Sequence, residues 1–234
     1  MSIAIMQPYF FPYIGYFQLM NAVDEFIVYD NIEFTKKGWI NRNRILVNGK
    51  DTFITLPLKK GSDYLNVNER YLAESWLTER TKLMNRVTEA YRKAPQFSLA
   101  YPVIKKSIFF EDLNLFNFIF HSLDTIKQYL EISTPLVISS SVTIDHGMKS
   151  EKKVIELCKA RQTTKYINPI GGITLYDKAE FRKEGIELGF LKSNDIIYNQ
   201  YNNEFIPWLS IIDVIMFNSK EKIKDYLNSF YTII

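Results

Sequence analysis

Short apolar runs that end in polar or aromatic turns alternate with longer stretches of helical spacing. Ile3-Ala4-Ile5-Met6 reads as a buried strand. Ile14, Phe17, Gln18 and Ala22 then fall on one side of a helix over about 12–22, with Pro12 suited to its first turn. Glu25-Phe26-Ile27-Val28-Tyr29-Asp30 reads as a second strand ending in an acid. Strand, helix and strand within about 30 residues predict a βαβ unit with a parallel pair and a right-handed crossover. Residues 31–44 read as a polar, basic loop. Ile45-Leu46-Val47 and Thr52-Phe53-Ile54-Thr55-Leu56 then flank Asn48-Gly49, a strong hairpin signal. Lys59-Lys60-Gly61-Ser62 follows as a basic turn.

The middle is helical by period. Leu77, Leu83, Met84, Val87 and Tyr91 mark a helix over about 76–94, and Leu115 to Leu130 repeats the pattern within 112–130. Pro95, Pro102 and Pro135 read as punctuation between helices. The Phe stripe over 109–120 fits packing between helices. The last third alternates again. Leu136-Val137-Ile138 predicts a strand, and Ser150 is placed as the cap of a helix to Ala160 with Glu151 in its first turn. Lys165-Tyr166-Ile167 predicts a strand that meets the abrupt turn Asn168-Pro169-Ile170-Gly171-Gly172. Weaker strand signals lie at Phe190 and Ile196-Ile197-Tyr198, and helices are expected over 208–217 and 221–231. The expected architecture is α/β: a parallel-sheet βαβ core with a small β-hairpin. It forms one domain over 1–234, with a helical insertion over about 70–135.

Composition narrows the class. The chain has 234 residues, 47% hydrophobic and 15% aromatic, enough for a substantial core. A net charge of +3 is too weak to call for nucleic acid but tolerates phosphorylated ligands. One cysteine, Cys158, forbids an internal disulfide and fits a reducing compartment. No basic region followed by an apolar run opens the chain, so no signal peptide is expected. No apolar stretch approaches the ~20 residues that span a bilayer. A cytoplasmic location is the expectation. The apolar residues of the last helices leave a homodimer open.

Ligands of open parallel sheets bind beyond the carboxyl ends of the strands. Here those ends are Gln7 to Gly15, Asp30 to Arg44, Ser139-Ser140-Ser141 and Asn168 to Gly172. The first is an aromatic turn, Gln7-Pro8-Tyr9-Phe10-Phe11-Pro12-Tyr13-Ile14-Gly15-Tyr16, which suits either a pocket for a flat or sugar-like ligand or a tight apolar core turn. Lys36, Lys37, Arg42 and Arg44 are the anion candidates, with Trp39 placed to stack and Asn41 and Asn43 to add directed hydrogen bonds. A solvated loop is the competing reading. Asp30 could orient an amine, bind a metal-bridged phosphate or pair with a lysine. Gly171-Gly172 could admit a phosphate or form a plain turn. His121 reads as structural, and His146, beside Asp145, as more open. Two histidines and one cysteine make no standard zinc site without several carboxylates, and no metal is expected. No Ser-His-Asp elbow, Walker loop or dinucleotide glycine fingerprint is present. Cys158 reads as buried.

With these motifs assembled, the chain resembles the WbqC-like family. The residues that carry the likeness are Met6 to Gln18, Tyr29-Asp30, Lys36-Lys37-Gly38-Trp39-Ile40-Asn41-Arg42-Asn43 and Pro57-Leu58-Lys59-Lys60. It resumes at Tyr166-Ile167, Gly171-Gly172, Tyr176 and Ser210-Ile211-Ile212-Asp213. The resemblance implies a bacterial protein of surface-polysaccharide gene clusters such as those for O-antigen, and transfer of glycine or a similar acyl group. A fainter likeness is to nucleotidylyltransferases of the H-x-G-H type, which implies their fold. The matching residues here are Tyr13-Ile14-Gly15-Tyr16, with tyrosine in place of both histidines. A phenol with its pKa near 10 lacks the charge of an imidazolium, which weakens adenylyl transfer.

Three functions compete at this stage. The first is an enzyme that attaches a glycyl or similar acyl group to an amino sugar carried on a nucleotide or lipid phosphate, with ATP one candidate activator. Asp30, Lys37 and Tyr13 are its catalytic candidates. Gln7, Tyr9, Pro12, Gly15, Tyr16, Gln18, Lys36, Trp39, Asn41, Arg42, Asn43, Arg44, Gly171, Gly172 and Tyr176 are its substrate-binding candidates. The second is a non-catalytic scaffold that binds a nucleotide sugar or glycan. The third, nucleic-acid binding through Lys36 to Arg44, is disfavoured by the small net charge.

Overall fold

The structure is a computed structural model that describes residues 1–234. The predicted βαβ unit forms. Strand β1 (Ser2–Met6) leads through the aromatic turn into helix α1 (Ile14–Asn21) and strand β2 (Glu25–Val28), which lies parallel to β1. Strand β2 stops two residues before the expected Asp30, so Tyr29 and Asp30 stand just beyond its carboxyl end.

The hairpin is longer than its apolar pattern implies. Strands β3 (Arg42–Val47) and β4 (Lys50–Thr55) pair across Asn48 and Gly49, both at positive φ, as a tight hairpin turn requires. Arg42, Asn43 and Arg44 therefore lie in a strand and not in the loop expected over 31–44. A short 3-10 turn (Val67–Glu69) follows. Helices α2 (Trp76–Tyr91), α3 (Phe97–Ile108) and α4 (Leu115–Tyr129) come next. The sequence did not predict α3, because Pro102 read as a break. Pro102 sits inside it, and the buried face of Ala100, Ile104, Ser107 and Ile108 outweighs the lost backbone bond.

The chain re-enters the sheet as β5 (Leu136–Ile138), followed by a 3-10 turn over Ser139–Ser141. Helix α5 (Ser150–Ala160) starts one residue earlier than a Ser150 cap would allow. Lys149 holds the cap position, and Ser150 makes no capping hydrogen bond. Then come β6 (Lys165–Pro169), α6 (Lys178–Lys183), β7 (Glu187–Ser193), α7 (Ile211–Phe217), α8 (Lys220–Ser229) and β8 (Tyr231–Ile233). Residues 196–198 form no strand.

The six-stranded sheet has the order β5-β2-β1-β6-β7-β8, all parallel except the edge strand β8. Counted in chain order within this sheet, that is 3-2-1-4-5-6, the doubly wound order. It reverses direction between β1 and β6. One sheet face packs on α1, α7, α8 and the α2–α4 helices in a large core, and the other packs on α5 and α6 in a smaller one. Both candidate signals at the carboxyl ends, the aromatic turn and Asp30, thus stand at the sheet edge where such folds place ligands.

Candidate functional site

Asp30 is 2% exposed and lies at the centre of a chain of polar contacts. Its Oδ1 accepts from Ser139 Oγ at 2.7 Å and from the Ser140 backbone N–H at 2.9 Å, and its Oδ2 accepts from Asn68 Nδ2 at 2.8 Å. The Ser139 hydroxyl proton is shared, because Asn31 Oδ1 lies 2.8 Å from the same oxygen. Asn31 Nδ2 donates to His146 Nδ1 at 2.9 Å, and His146 Nε2 lies 3.0 Å from the Val142 carbonyl oxygen. A carbonyl can only accept, so His146 Nε2 is the donor in that contact. Burial pushes the Asp30 carboxyl up, but the hydrogen bonds from Ser140, Ser139 and Asn68 outweigh it and hold the group below its ordinary range. Asn68 Oδ1, beside it, is buried and accepts nothing.

Lys153 of α5 is 4% exposed, with no carboxylate within ion-pair distance. Its Nζ lies 4.9 Å from the Tyr29 ring centre and 3.4 Å from the Asn31 carbonyl oxygen. Burial lowers its pKa, while the nearby Asp30 opposes the shift. Tyr29 is raised to about 12 by burial, then by Tyr176 and Asp30 beside it. The β2, β5 and β6 ends therefore do converge, and they bring together Asp30, Ser139, Lys153, His146, Tyr29 and Tyr176.

Gly172 belongs to the same edge. A Cβ there would fall 2.0 Å from Asn168 Nδ2, so any side chain would have to displace the Asn168 amide of β6 from the Pro169 carbonyl. Gly171 faces open space and has no such constraint.

The aromatic turn divides. Pro8, Phe10, Phe11, Pro12, Ile14, Tyr16 and Phe17 are buried, and only Gln7, Tyr9, Tyr13 and Gly15 keep part of their surface. Tyr16 donates to the Gln7 carbonyl at 3.1 Å, and Tyr9 to Gln7 Oε1 at 3.3 Å. Tyr13 packs on Trp208 with ring centres 5.0 Å apart and is raised to about 12 by burial, then by Asp195. Gln18 is fully buried. It donates to the Tyr226 and Phe230 carbonyls and accepts from Ser193, so it fastens the last helix to α1. Gly15 lets α1 approach β7: a Cβ there would fall 2.6 Å from Ser193 Oγ.

The basic segment divides too. Asn43 holds the carbonyls of Phe10 and Phe11, and Asn41 holds that of Leu56. Arg42 closes its own loop on the Gly38 and Lys37 carbonyls and lies over Phe53. Arg44 pairs with Asp51 and lies over Trp39, which stacks on Phe53. Lys36 pairs with Asp63 on the surface, and Lys37 is exposed.

Lys36 and Asn41 line a groove of about 740 Å³ with Lys59, Lys60 and Arg70. A second cleft of about 570 Å³ lies at the amino ends of β6 and β7, the wrong edge for a doubly wound site.

The family model for the WbqC-like protein family matches residues 7–225. The chain belongs to the WbqC-like family. It is 31% identical over 233 residues to an uncharacterized protein of Mycobacterium tuberculosis, Rv1507c, and the match covers 97% of each chain. No solved structure matches. Within this WbqC-like chain, sequence reasoning missed Asn31, Asn68 and Lys153. Lys153 had a legible signal: it stands one turn before Leu157 on the apolar side of α5, where a lysine must bury its charge. Asn31 and Asn68 gave none, because they meet Asp30 only through tertiary packing.

Proposed function

We propose that this WbqC-like protein transfers a glycyl or similar acyl group to an amino sugar carried on a nucleotide or lipid phosphate, in the building of bacterial surface polysaccharide. The observation that carries the reading is the buried Asp30 carboxylate at the strand-end edge, with Lys153 and the open Asn68 acceptor beside it. An anion held below its ordinary pKa is matched to a substrate ammonium, and the unfilled amide oxygen suits a second N–H of the same amine. Loss of one proton from the ammonium frees the nitrogen pair. The nitrogen then bonds to the acyl carbon, the bond from that carbon to its phosphate or thiol leaving group breaks, and the nitrogen's second proton goes to the departing group. Asp30 takes or relays the proton, and cationic side chains outside the Asp30 cluster hold the phosphate. ATP is one candidate for activating the acyl donor.

The test is incubation with a panel of nucleotide-linked amino sugars, glycine and ATP, followed by mass spectrometry of the sugar. Asp30→Asn should cut turnover by about a hundredfold or more, well beyond its loss in substrate binding. Full activity in that variant removes Asp30 from the chemistry.

A second reading, a non-catalytic scaffold for a nucleotide sugar or glycan, is favoured by the exposed stacked pair Trp39 and Phe53, with Trp208 also exposed. Binding of the same panel without any mass change would select it.

A further inference from the structure

The groove beside the hairpin is lined by four cationic side chains, Lys36, Lys59, Lys60 and Arg70, against one carboxylate, Asp63. Asp63 is already engaged by Lys36 at 2.8 Å, both on the surface. Lys59 reaches only Glu74, at 4.0 Å, and Lys60 has no ion pair. Arg70 is the unusual member. It is 7% exposed, yet no carboxylate lies within ion-pair distance. Its Nη1 donates to the Ser62 carbonyl at 2.9 Å, and its guanidinium lies 4.5 Å from the centre of the Phe34 ring. A charge taken out of water without a counter-ion is costly, and here two contacts fix the plane of the guanidinium. A held guanidinium fork matches phosphate oxygens bidentately, and the two lysines add mobile point charges.

We propose that this groove is the subsite for the diphosphate of the ligand, with Arg70 as its anchor and Lys59 and Lys60 as its flanks. The proposal rests on the transfer reading only in naming the ligand as a sugar carrier. The 3-10 turn Val67–Glu69 links the groove to Asp30: Asn68 donates to Asp30 Oδ2, and Arg70 follows two residues later. The groove volume is within the range of small-molecule sites, roughly 300–1,000 Å³. A nucleoside diphosphate and an isoprenyl diphosphate share the chemistry.

The test is calorimetric titration of the full chain with inorganic pyrophosphate, uridine diphosphate and farnesyl diphosphate at low and moderate salt. Wild type should bind pyrophosphate, more weakly as salt rises. The Lys59→Gln/Lys60→Gln double variant, whose changes are on the surface, should lose about tenfold or more in affinity. Arg70→Lys keeps the charge but not the fork and should also bind more weakly, with circular dichroism checking that it folds. Lys82→Gln/Lys224→Gln removes the same charge elsewhere and should bind as wild type does. Tighter binding of either ester supports the subsite and names the source, and equal binding of all three assigns recognition to the diphosphate alone. No pyrophosphate binding at low salt, or an equal loss in the Lys82/Lys224 variant, overturns the proposal. Because no turnover is measured, failure of the acyl-transfer reading leaves this result standing. Conversely, a protein that transfers but ignores pyrophosphate sinks the groove alone.

Discussion

Asp213 and Asp30 are both buried carboxylates, and their surroundings push them in opposite directions. Asp213 accepts from Tyr91 at 2.8 Å and from Tyr198 and Gln200 at 2.7 Å each, with no cation nearby. Burial raises its pKa, and those three hydrogen bonds only partly offset the rise. A folded pKa above the unfolded value of about 3.9 gives stability that is full below that value and is lost as pH climbs through the folded pKa. Asp30 is lowered, so its contribution is present above about pH 3.9 and is lost as pH falls through its folded pKa. Urea unfolding across pH 3 to 7 should therefore separate two variants (the range is roughly that of carboxylate titration). Asp30→Asn should flatten the acid side of the stability curve, and Asp213→Asn should remove the decline on the side above pH 4 or so. Tyr91→Phe tests the network directly. It takes one donor from Asp213 and leaves the Leu46 N–H, which the Tyr91 oxygen accepts at 2.8 Å, without a partner. The loss should be about 1–3 kcal/mol in urea unfolding.

Elements in this fold are set as much by what they touch as by their own patterns. The turn between β1 and α1 holds Phe11 at φ 43°, a conformation a bulky residue seldom adopts. Asn43 of β3 and Ser210, the cap of α7, hold it there through the Phe10 and Phe11 carbonyls. Asn43→Ala should cost about 1–3 kcal/mol, since the buried Phe10 carbonyl loses its partner while the Phe11 carbonyl keeps Ser210. The matching check is denaturant unfolding of Asn41→Ala, which frees only the Leu56 carbonyl and should cost less. Helix α1 depends on Gly15 for its approach to β7. Gly15→Ala should push on Ser193 and break its 2.6 Å bond to Gln18, with a loss of about 1–3 kcal/mol in thermal or urea unfolding. The aromatic turn is thus in large part a packed junction, and its open fringe, Gln7, Tyr9 and Tyr13, is what remains for a ligand.

At the scale of the whole molecule, the last helix and edge strand are tied back to the first helix over 200 residues of chain. Gln18 donates at 2.8 and 2.9 Å to the carbonyls of Tyr226 and Phe230. Gln18→Ala should take this donor from both, leaving the Phe230 carbonyl with the Asn194 N–H alone, and hydrogen exchange across α8 and β8 should rise well before exchange in β1 and β2. Uniform protection would show that the terminal unit is held by its apolar contacts alone. No helix is long and apolar enough to cross a membrane. The sequence by itself determined the α/β class, the parallel β1–β2 pair, the Asn48-Gly49 hairpin and the family, because hydrophobic period, turn residues and motifs are local. It also marked Asp30 and Ser139–Ser141 as strand ends. Only the tertiary structure decided that these ends meet around Lys153 and His146, and that Gln18 and Asn43 hold the fold together. It likewise decided that Arg70 stands beside Lys59 and Lys60 without a counter-ion. The reason is physical: a side chain's hydrogen-bond partners and its access to water are set by residues far along the chain, and no local pattern records which ones arrive.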